Sequence, residues 1–293
     1  MKNLAEVARA LRADDVKLLK LLLSASRRYR YVPLDYIRAS LDLSASSLEE
    51  KLSFLNRLGL IRRNVGQYVG FELKSMGMDA LALYVLARRG VVEALGPKLG
   101  VGKEADVYEA VAPGGGLVVV KFHRAGRRSF RHVRKVRAYL ARVRGSVARV
   151  APIIASLREF VALKRVVGVG VSAPAPIARY KHALVTSRVE GELLQRVRAL
   201  EDPRGFFNAL MDNVFKSLKE AGVVHGDLSE YNVVVSPREE PLIIDWPQWL
   251  SAGHPSAIRL LERDVTQLCL FFRRRFGLGV DADGVLREMG VRA

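Results

Sequence analysis

Apolar residues recur at helical spacing through the first ninety positions. Leu4 to Arg12 is amphipathic, and DDVKLLKLLLSASRR carries the same period on behind two acids that suit the positive end of a helix. VPLDYIRASLDLS predicts a short helix and a turn. In SASSLEEKLSFLNRLGL, Ser47 and Glu50 have the spacing of a capping box, Leu52, Leu55 and Leu58 fall on one face, and Gly59 is a stop signal. The period then switches to alternation: IRRNVGQYVGFELK predicts two strands about Asn64-Val65-Gly66, and DALALYVLARRG predicts one more helix.

Helices followed by a two-stranded ribbon are the order of a winged-helix module, assigned here to residues 1–92. Arg62 and Arg63 on the wing suit an anionic partner, whereas the helix that would enter a groove opens Ser-Leu-Glu-Glu, a poor match for DNA phosphates. A Gly-rich joint, GVVEALGPKLGVGKEAD, comes next. Beyond it DVYEAV, LVVVKFH, APIARYKHALVTSRV, VVVS and LIID read as strands with helices between and after them. Strands first and helices later predict an α+β domain of two lobes over residues 93–293, divided at about 187/188.

Composition narrows the class. The chain has 293 residues and a net charge of +18, with 35 Arg against 13 Lys. Such a surplus implies an anionic partner, and the planar Arg fork suits phosphate. From Ala110 to Arg158 there are twelve Lys or Arg and no Asp or Glu, so the block 121–158 is the expected contact with RNA. The single cysteine, Cys269, excludes a disulfide framework and a multi-thiolate metal site. No apolar run approaches a membrane span, and MKNLAEVARALRADD lacks the apolar core of a secretory signal, so the expectation is a monomer in the cytoplasm.

Candidate chemistry begins at Gly100-Val101-Gly102-Lys103-Glu104-Ala105. A Walker A loop fails because Pro97 stands where its first glycine belongs and Glu104 where its Ser/Thr belongs. A dinucleotide fingerprint fits the letters, but a strand rather than a helix follows. The remaining reading is a strand–turn–strand loop laid over ATP phosphates. Lys121 then ends an apolar strand where an ammonium would reach those phosphates, and Glu159 is the first downstream carboxylate able to hold it. His225-Gly226-Asp227-Leu228-Ser229-Glu230-Tyr231-Asn232 follows, and a second strand ends in Asp245. Phosphoryl transfer needs hard oxygen ligands for Mg2+ (or Mn2+) and a carboxylate near the acceptor. Asn232 and Asp245 supply the first, Asp227 the second, and His225 supports the backbone. Val107, Val119, Val234 and Ile244 are candidate adenine contacts, and the linker from Ser187 to Val189 would meet the edge of the base.

These residues resemble a RIO-type atypical protein kinase of the second, winged-helix-bearing subfamily. GVGKEADVY, VVVKFHRAGRRSFR, HGDLSEYN, IIDWPQ and HPSAIRLLERDVTQLCLFFRRRFG carry the resemblance, which covers nearly the whole chain. It implies ATP and Mg2+ as cofactors, Asp227 as proton acceptor, Asn232 and Asp245 as metal ligands, and Asp245 as the site of an aspartyl-phosphate. It also implies the maturing small ribosomal subunit as partner. Ala105 departs from the family's G-K-E-S loop, Trp246 from its Phe, and Leu228-Ser229 from Phe-Asn; Ser229 stands where ordinary serine/threonine kinases carry a lysine. Only 48 residues follow Asp245 and none form an Ala-Pro-Glu segment. Slow ATP hydrolysis or autophosphorylation, with Ser129 as one acceptor, therefore fits better than broad protein phosphorylation. Two other readings are a small-molecule kinase of the aminoglycoside-phosphotransferase kind, which the winged helix and basic block disfavour, and a nucleic-acid-binding regulator with a degenerate kinase fold, which the intact Lys, Asp, Asn and Asp disfavour.

Overall fold

The computed structural model describes residues 3–101, 105–124 and 147–291. Gly102, Lys103 and Glu104, Ser129 and most of the basic block lie outside them. The chain forms two compact units, Met1–Ser156 with Ala178–Val185, and Leu157–Ile177 with Thr186–Ala293.

The first unit opens with α1 (Leu4–Ala10), α2 (Ala13–Ala25), the short strand β1 (Val32–Pro33), α3 (Leu34–Ser40) and α4 (Ala45–Arg57). Asp15 accepts the Arg12 amide at 2.8 Å, closing the start of α2. The cap of α4 is Ser44, whose hydroxyl oxygen accepts from the Ser47 amide, so Ser47 lies inside the helix rather than opening it. Leu52 and Leu55 are buried on the predicted face, and Gly59 ends the helix with φ +75°. The ribbon pairs β2 (Ile61–Val65) with β3 (Val69–Leu73) in the register Ile61↔Leu73 to Val65↔Val69. Its turn is therefore 66–68, later than the Asn64-Val65-Gly66 expected, because this register sends Ile61, Phe71 and Leu73 to the core together. β1 pairs on the other edge, Val32 against Phe71.

Helix α5 (Ser75–Arg88) begins before the predicted Asp79. Gly77 touches the Leu60 carbonyl, and an added Cβ would overlap that oxygen. The helix is apolar on nearly all sides because it serves two cores. Met78, Ala80 and Leu81 join the helical cluster around Leu18, Leu19, Leu22 and Leu55. Ala82, Leu83 and Leu86 pack against Ala110, Val118, Val120 and Phe122 of the sheet.

That sheet has the strand order β4-β5-β6-β8-β7, built from β4 (Ala94–Val101), β5 (Ala105–Val111), β6 (Leu117–His123), β7 (Pro176–Tyr180) and β8 (Ala183–Ser187). The Gly-rich joint thus holds a strand, whose register shifts between Leu95 and Gly100 disguise its alternation. APIARYKHALVTSRV forms two strands, turned at Lys181 with φ 53°. A buried polar network ties α5 to the sheet. The Asp79 carboxylate receives both terminal Arg124 nitrogens at 2.7 Å and His182 Nε2 at 2.7 Å, while Arg124 Nε donates to Asp106 at 2.8 Å. Lys98 completes it, 2.6 Å from Asp106. Burial alone would push Asp79 up, but the hydrogen bonds from His182 and Arg124 hold it below the usual carboxylate value. Burial pushes His182 down, so it is the neutral ring that donates Nε2–H, and its buried Nδ1 has no partner among the described residues.

The second unit contains α6 (Val147–Gly168) from Leu157 onward, β9 (Glu192–Leu193), α7 (Pro203–Lys219), β10 (Val223–Val224), β11 (Val233–Val235), β12 (Pro241–Ile243), β13 (Leu250–Ser251), α8 (Ala257–Phe276) and α9 (Ala282–Glu288). Helix α7 is well started: Pro203 stands in its first turn and Asp202 accepts from Gly205 at 2.8 Å. Its apolar face meets α8 through aromatic rings. Phe272 is fully buried and lies 5.1 Å from Phe207 and 5.3 Å from Phe276 between ring centres. α8 ends at Gly277 in the left-handed conformation, φ 67°.

Two outcomes are expected. Phe272→Ala leaves a cavity among the rings of Phe206, Phe207, Phe271 and Phe276 and lowers the unfolding free energy by about 3–5 kcal/mol, read from the midpoint of urea unfolding. His182 has a folded value below its unfolded value of 6.5, so the stability it permits is complete above that pH and is lost as pH falls from about 6.5 toward the folded value. Unfolding midpoints measured between pH 8 and pH 5 should therefore fall, and His182→Gln should flatten the decline; an equal slope in both proteins would refute the assignment.

Candidate active site

Residues of the second unit build a polar centre on three short strands. β11 is central, pairing with β12 (Val234↔Leu242) and β9 (Val234↔Leu193). The segment 225–232 enters β11 from β10, and Asp245 leaves β12. Both carry a left-handed residue: Gly226 has φ 78° and Asp245 φ 66°, which Asp tolerates better than most side chains. At Gly226 an added Cβ would stand 3.0 Å from the Gln248 carbonyl, so glycine answers both the backbone and the space.

Asn232 joins the parts. Its Nδ2 donates to the Asp227 carbonyl at 2.8 Å, its backbone amide donates to Ser229 at 2.9 Å, and its carbonyl accepts from Ile244 at 2.9 Å. With Nδ2 committed, Oδ1 is the atom left to bind a cation. Asn232 Oδ1 and the Asp245 carboxylate are oxygen donors of the kind a small hard cation takes, so these residues fit Mg2+. Among the described residues no group of three His, Cys, Asp or Glu could hold a metal alone. Nucleotide phosphates and water would complete the shell.

His225 supports this backbone, as expected from sequence. It accepts the Asp227 amide on Nδ1 at 3.3 Å and donates Nε2–H to the Ile244 carbonyl at 3.0 Å, with its ring against Trp246 at 4.6 Å between centres. Trp246 is buried and bonds the Ile243 carbonyl at 3.0 Å. The Asp227 side chain is 65% exposed, so it is open to an acceptor group.

Several supports were not singled out from sequence. Asp264 on α8 is buried and accepts the Gly226 amide at 3.0 Å; burial pushes its carboxyl up, opposed by the neighbouring His225 and Arg263. Arg263 donates to the Gly226 carbonyl at 2.7 Å and to Asp264 at 2.8 Å, and lies 3.8 Å from Asp227. Arg158 donates Nε–H to the Pro247 carbonyl at 2.9 Å and also bonds the Trp249 carbonyl, while the Trp249 indole donates to the Arg158 carbonyl at 2.9 Å. Helix α6 is thereby fastened to the chain just beyond Asp245. The run ERD in a helical segment carried the only sequence signal for Arg263 and Asp264; Arg158 carried none, because its partners are carbonyls of remote residues.

In the same unit Val234 is buried in β11, Ile244 is half-buried just past β12, and Glu159 is buried on α6. Ser187 ends β8, exchanging hydrogen bonds with Ala175, and Val189 follows half-buried. In the first unit the register Val107↔Lys121 and Glu109↔Val119 puts Val107, Val119 and Lys121 on one sheet face, opposite the buried Val118, Val120 and Phe122. Gly100 pairs with Val107 next to Val101, and Ala105 is buried. The alternation in the sequence fixes that shared face.

Residues 106–285 match the RIO domain family model, and residues 8–89 match the model of the Rio2 N-terminal domain. The serine/threonine-protein kinase rio2 of Dictyostelium discoideum is 32% identical over 276 residues, covering 94% of this chain, which spans about half (53%) of that longer relative. The RIO-type serine/threonine-protein kinase Rio2 of Methanocaldococcus jannaschii is 33% identical over 253 residues, 85% of this chain and 92% of its own length. The crystal structure of the Rio2 kinase of Chaetomium thermophilum, in an ADP/Mg2+-phosphoaspartate complex, superposes with a TM-score of 0.81 at 30% identity, covering 97% of this chain and 88% of the other. With both its N-terminal segment and its kinase-like domain matched in order, the chain belongs to the RIO family, among the Rio2 serine/threonine-protein kinases.

Proposed function

We propose that this chain is a Mg2+-ATP-dependent serine kinase and ATPase that works in the cytoplasm on the maturing small ribosomal subunit. The observation that carries the phosphotransferase reading is the double role of Asn232, whose side chain holds the Asp227 backbone and whose main chain holds the strand end that presents Asp245. A Mg2+ ion bound there supplies neutralisation of charge on the phosphates. Asp227 accepts the proton of the attacking hydroxyl or water, or orients it, from an exposed position. Lys121 binds the α and β phosphates, with Glu159 as its holder, and the loop 100–105 covers the triphosphate. Val107, Val119, Val234 and Ile244 contact adenine, and Ser187 to Val189 meet its edge through backbone groups. Asp245 is also the residue we assign as phosphoryl acceptor, by likeness to the phosphoaspartate of the Chaetomium relative. Its carboxylate oxygen bonds to the γ-phosphorus as ADP departs, and water later cleaves the acyl phosphate.

The organisation proposed is a winged helix over residues 1–92 and a kinase-like domain over 93–293. The basic block 121–158 is the proposed contact with precursor rRNA, supported by its twelve cations and the absence of acids between Ala110 and Arg158. Among the described residues no helix is long and apolar enough to cross a membrane. The fastening of Arg158 to Pro247 and Trp249 suits an enzyme whose metal loop does not swing out between active and inactive states.

Incubation with γ-labelled ATP and Mg2+ tests the reading. Asp227→Ala is expected to reduce labelled phosphate release by about 100-fold or more with nucleotide binding retained. Asp245→Ala is expected to abolish any hydroxylamine-labile label on the chain. Folded variants, checked by circular dichroism, that keep wild-type turnover would overturn these roles.

A further inference from the structure

A groove of about 1210 Å³ lies wholly within the second unit, along α8 and beside the segment that holds Asp227. It exceeds the usual size of a small-molecule pocket, so a stretch of a larger molecule is its natural occupant. Arginines dominate its walls: Arg259, Arg263 and Arg274 from α8, Arg275 at the helix end, and Arg198 opposite. Arg275 is spent in part on the Gln195 carbonyl at 3.0 Å, and Arg263 on the Gly226 carbonyl and Asp264. Arg198, Arg259 and Arg274 are exposed and make no ion pair or hydrogen bond among the described residues.

Arg259 and Arg274 stand fifteen positions apart on one helix face, about 22 Å, which an extended chain of about seven residues spans. Arg259 sits in the first turn of α8, where a cation opposes the helix dipole, so helix stability does not account for it. Two carboxylates, Glu230 and Glu262, interrupt the arginines. A nucleic-acid strand with a phosphate at every step would meet both, whereas a peptide can place acids against the arginines and neutral residues against the glutamates. Arg263, 3.8 Å from Asp227, joins the groove to the acceptor end of the site.

We propose that this groove binds an acidic segment of a protein partner in extended form, with Arg198, Arg259 and Arg274 pairing its carboxylates and one end of it delivered to Asp227. The orientation toward Asp227 rests on the phosphotransferase reading; the binding does not.

The test is fluorescence anisotropy with a labelled Glu/Asp octapeptide carrying one serine, beside a labelled decauridylate, with no turnover required. Arg259→Glu/Arg274→Glu is expected to weaken peptide binding about tenfold or more while changing decauridylate binding less than about threefold and leaving ATP hydrolysis at the wild-type rate. No binding of the peptide by the wild type, an unchanged affinity in the variant, or an equal or larger loss for decauridylate would overturn the proposal, the last by assigning the groove to RNA. If circular dichroism shows the charge-reversed protein unfolded, Arg259→Ala/Arg274→Ala is read by the same criteria with an expected loss of about threefold to tenfold. A protein that binds the peptide through these arginines yet turns over no ATP would sink the enzymatic reading and leave the groove standing.

Discussion

The polar centre depends on one amide. Asn232 cannot satisfy the Asp227 carbonyl with Nδ2 and the Ile244 amide with its own carbonyl unless β11 and β12 are in register and the turn at Gly226 is closed. Three further constraints keep that turn closed: the left-handed Gly226, its amide on Asp264, and the His225 ring bridging Asp227 to Ile244. The last two are buried or half-buried hydrogen bonds whose loss leaves unsatisfied groups, so the set resists partial opening more than any single bond would. Chemistry that requires carboxylates at fixed places can then be carried by loops, because the loops are tied at both ends.

The first unit solves a different problem with similar means. Helix α5 has no polar face wide enough for solvent, and it faces both a helical cluster and the five-stranded sheet. Apolar packing does not by itself fix how a round, greasy helix is rotated. The Asp79 carboxylate, held by both Arg124 nitrogens and by His182, supplies one specific angle. Arg124 passes the connection to Asp106 on β5, which also takes Lys98 from β4, so the strands flanking the Gly-rich loop are tied to the same buried acid. Such a network adds specificity at a desolvation cost, and breaking one member exposes the cost of all the others.

Much of this was legible in the chain. The helical period of residues 4–58, the switch to alternation at Ile61 and the spacing from His225 to Asn232 rest on local chemistry that no tertiary contact overrode. The misreadings share a cause. Ser47 outranked Ser44 as a cap because only the capping box was visible, and the strand Ala94–Val101 was hidden by register shifts at Leu95, Lys98 and Gly100 that break its alternation.

The sequence by itself marked the candidates for the chemistry, since Lys121, Glu159, Asp227, Asn232 and Asp245 stand out by residue type and order along strands and turns. It also determined their faces: the period-two alternation puts Val107, Val119 and Lys121 on one side of a sheet wherever that sheet lies. Only the tertiary structure decided what holds them. Arg158 on Pro247, Asp264 on Gly226, and Asp79 with His182 join residues 38 to 103 positions apart, and no spacing or motif marks which residue pairs with which. Local patterns record the interactions of a residue with its sequence neighbours. A buried hydrogen bond between remote residues exists only once packing has brought a donor and an acceptor out of water together.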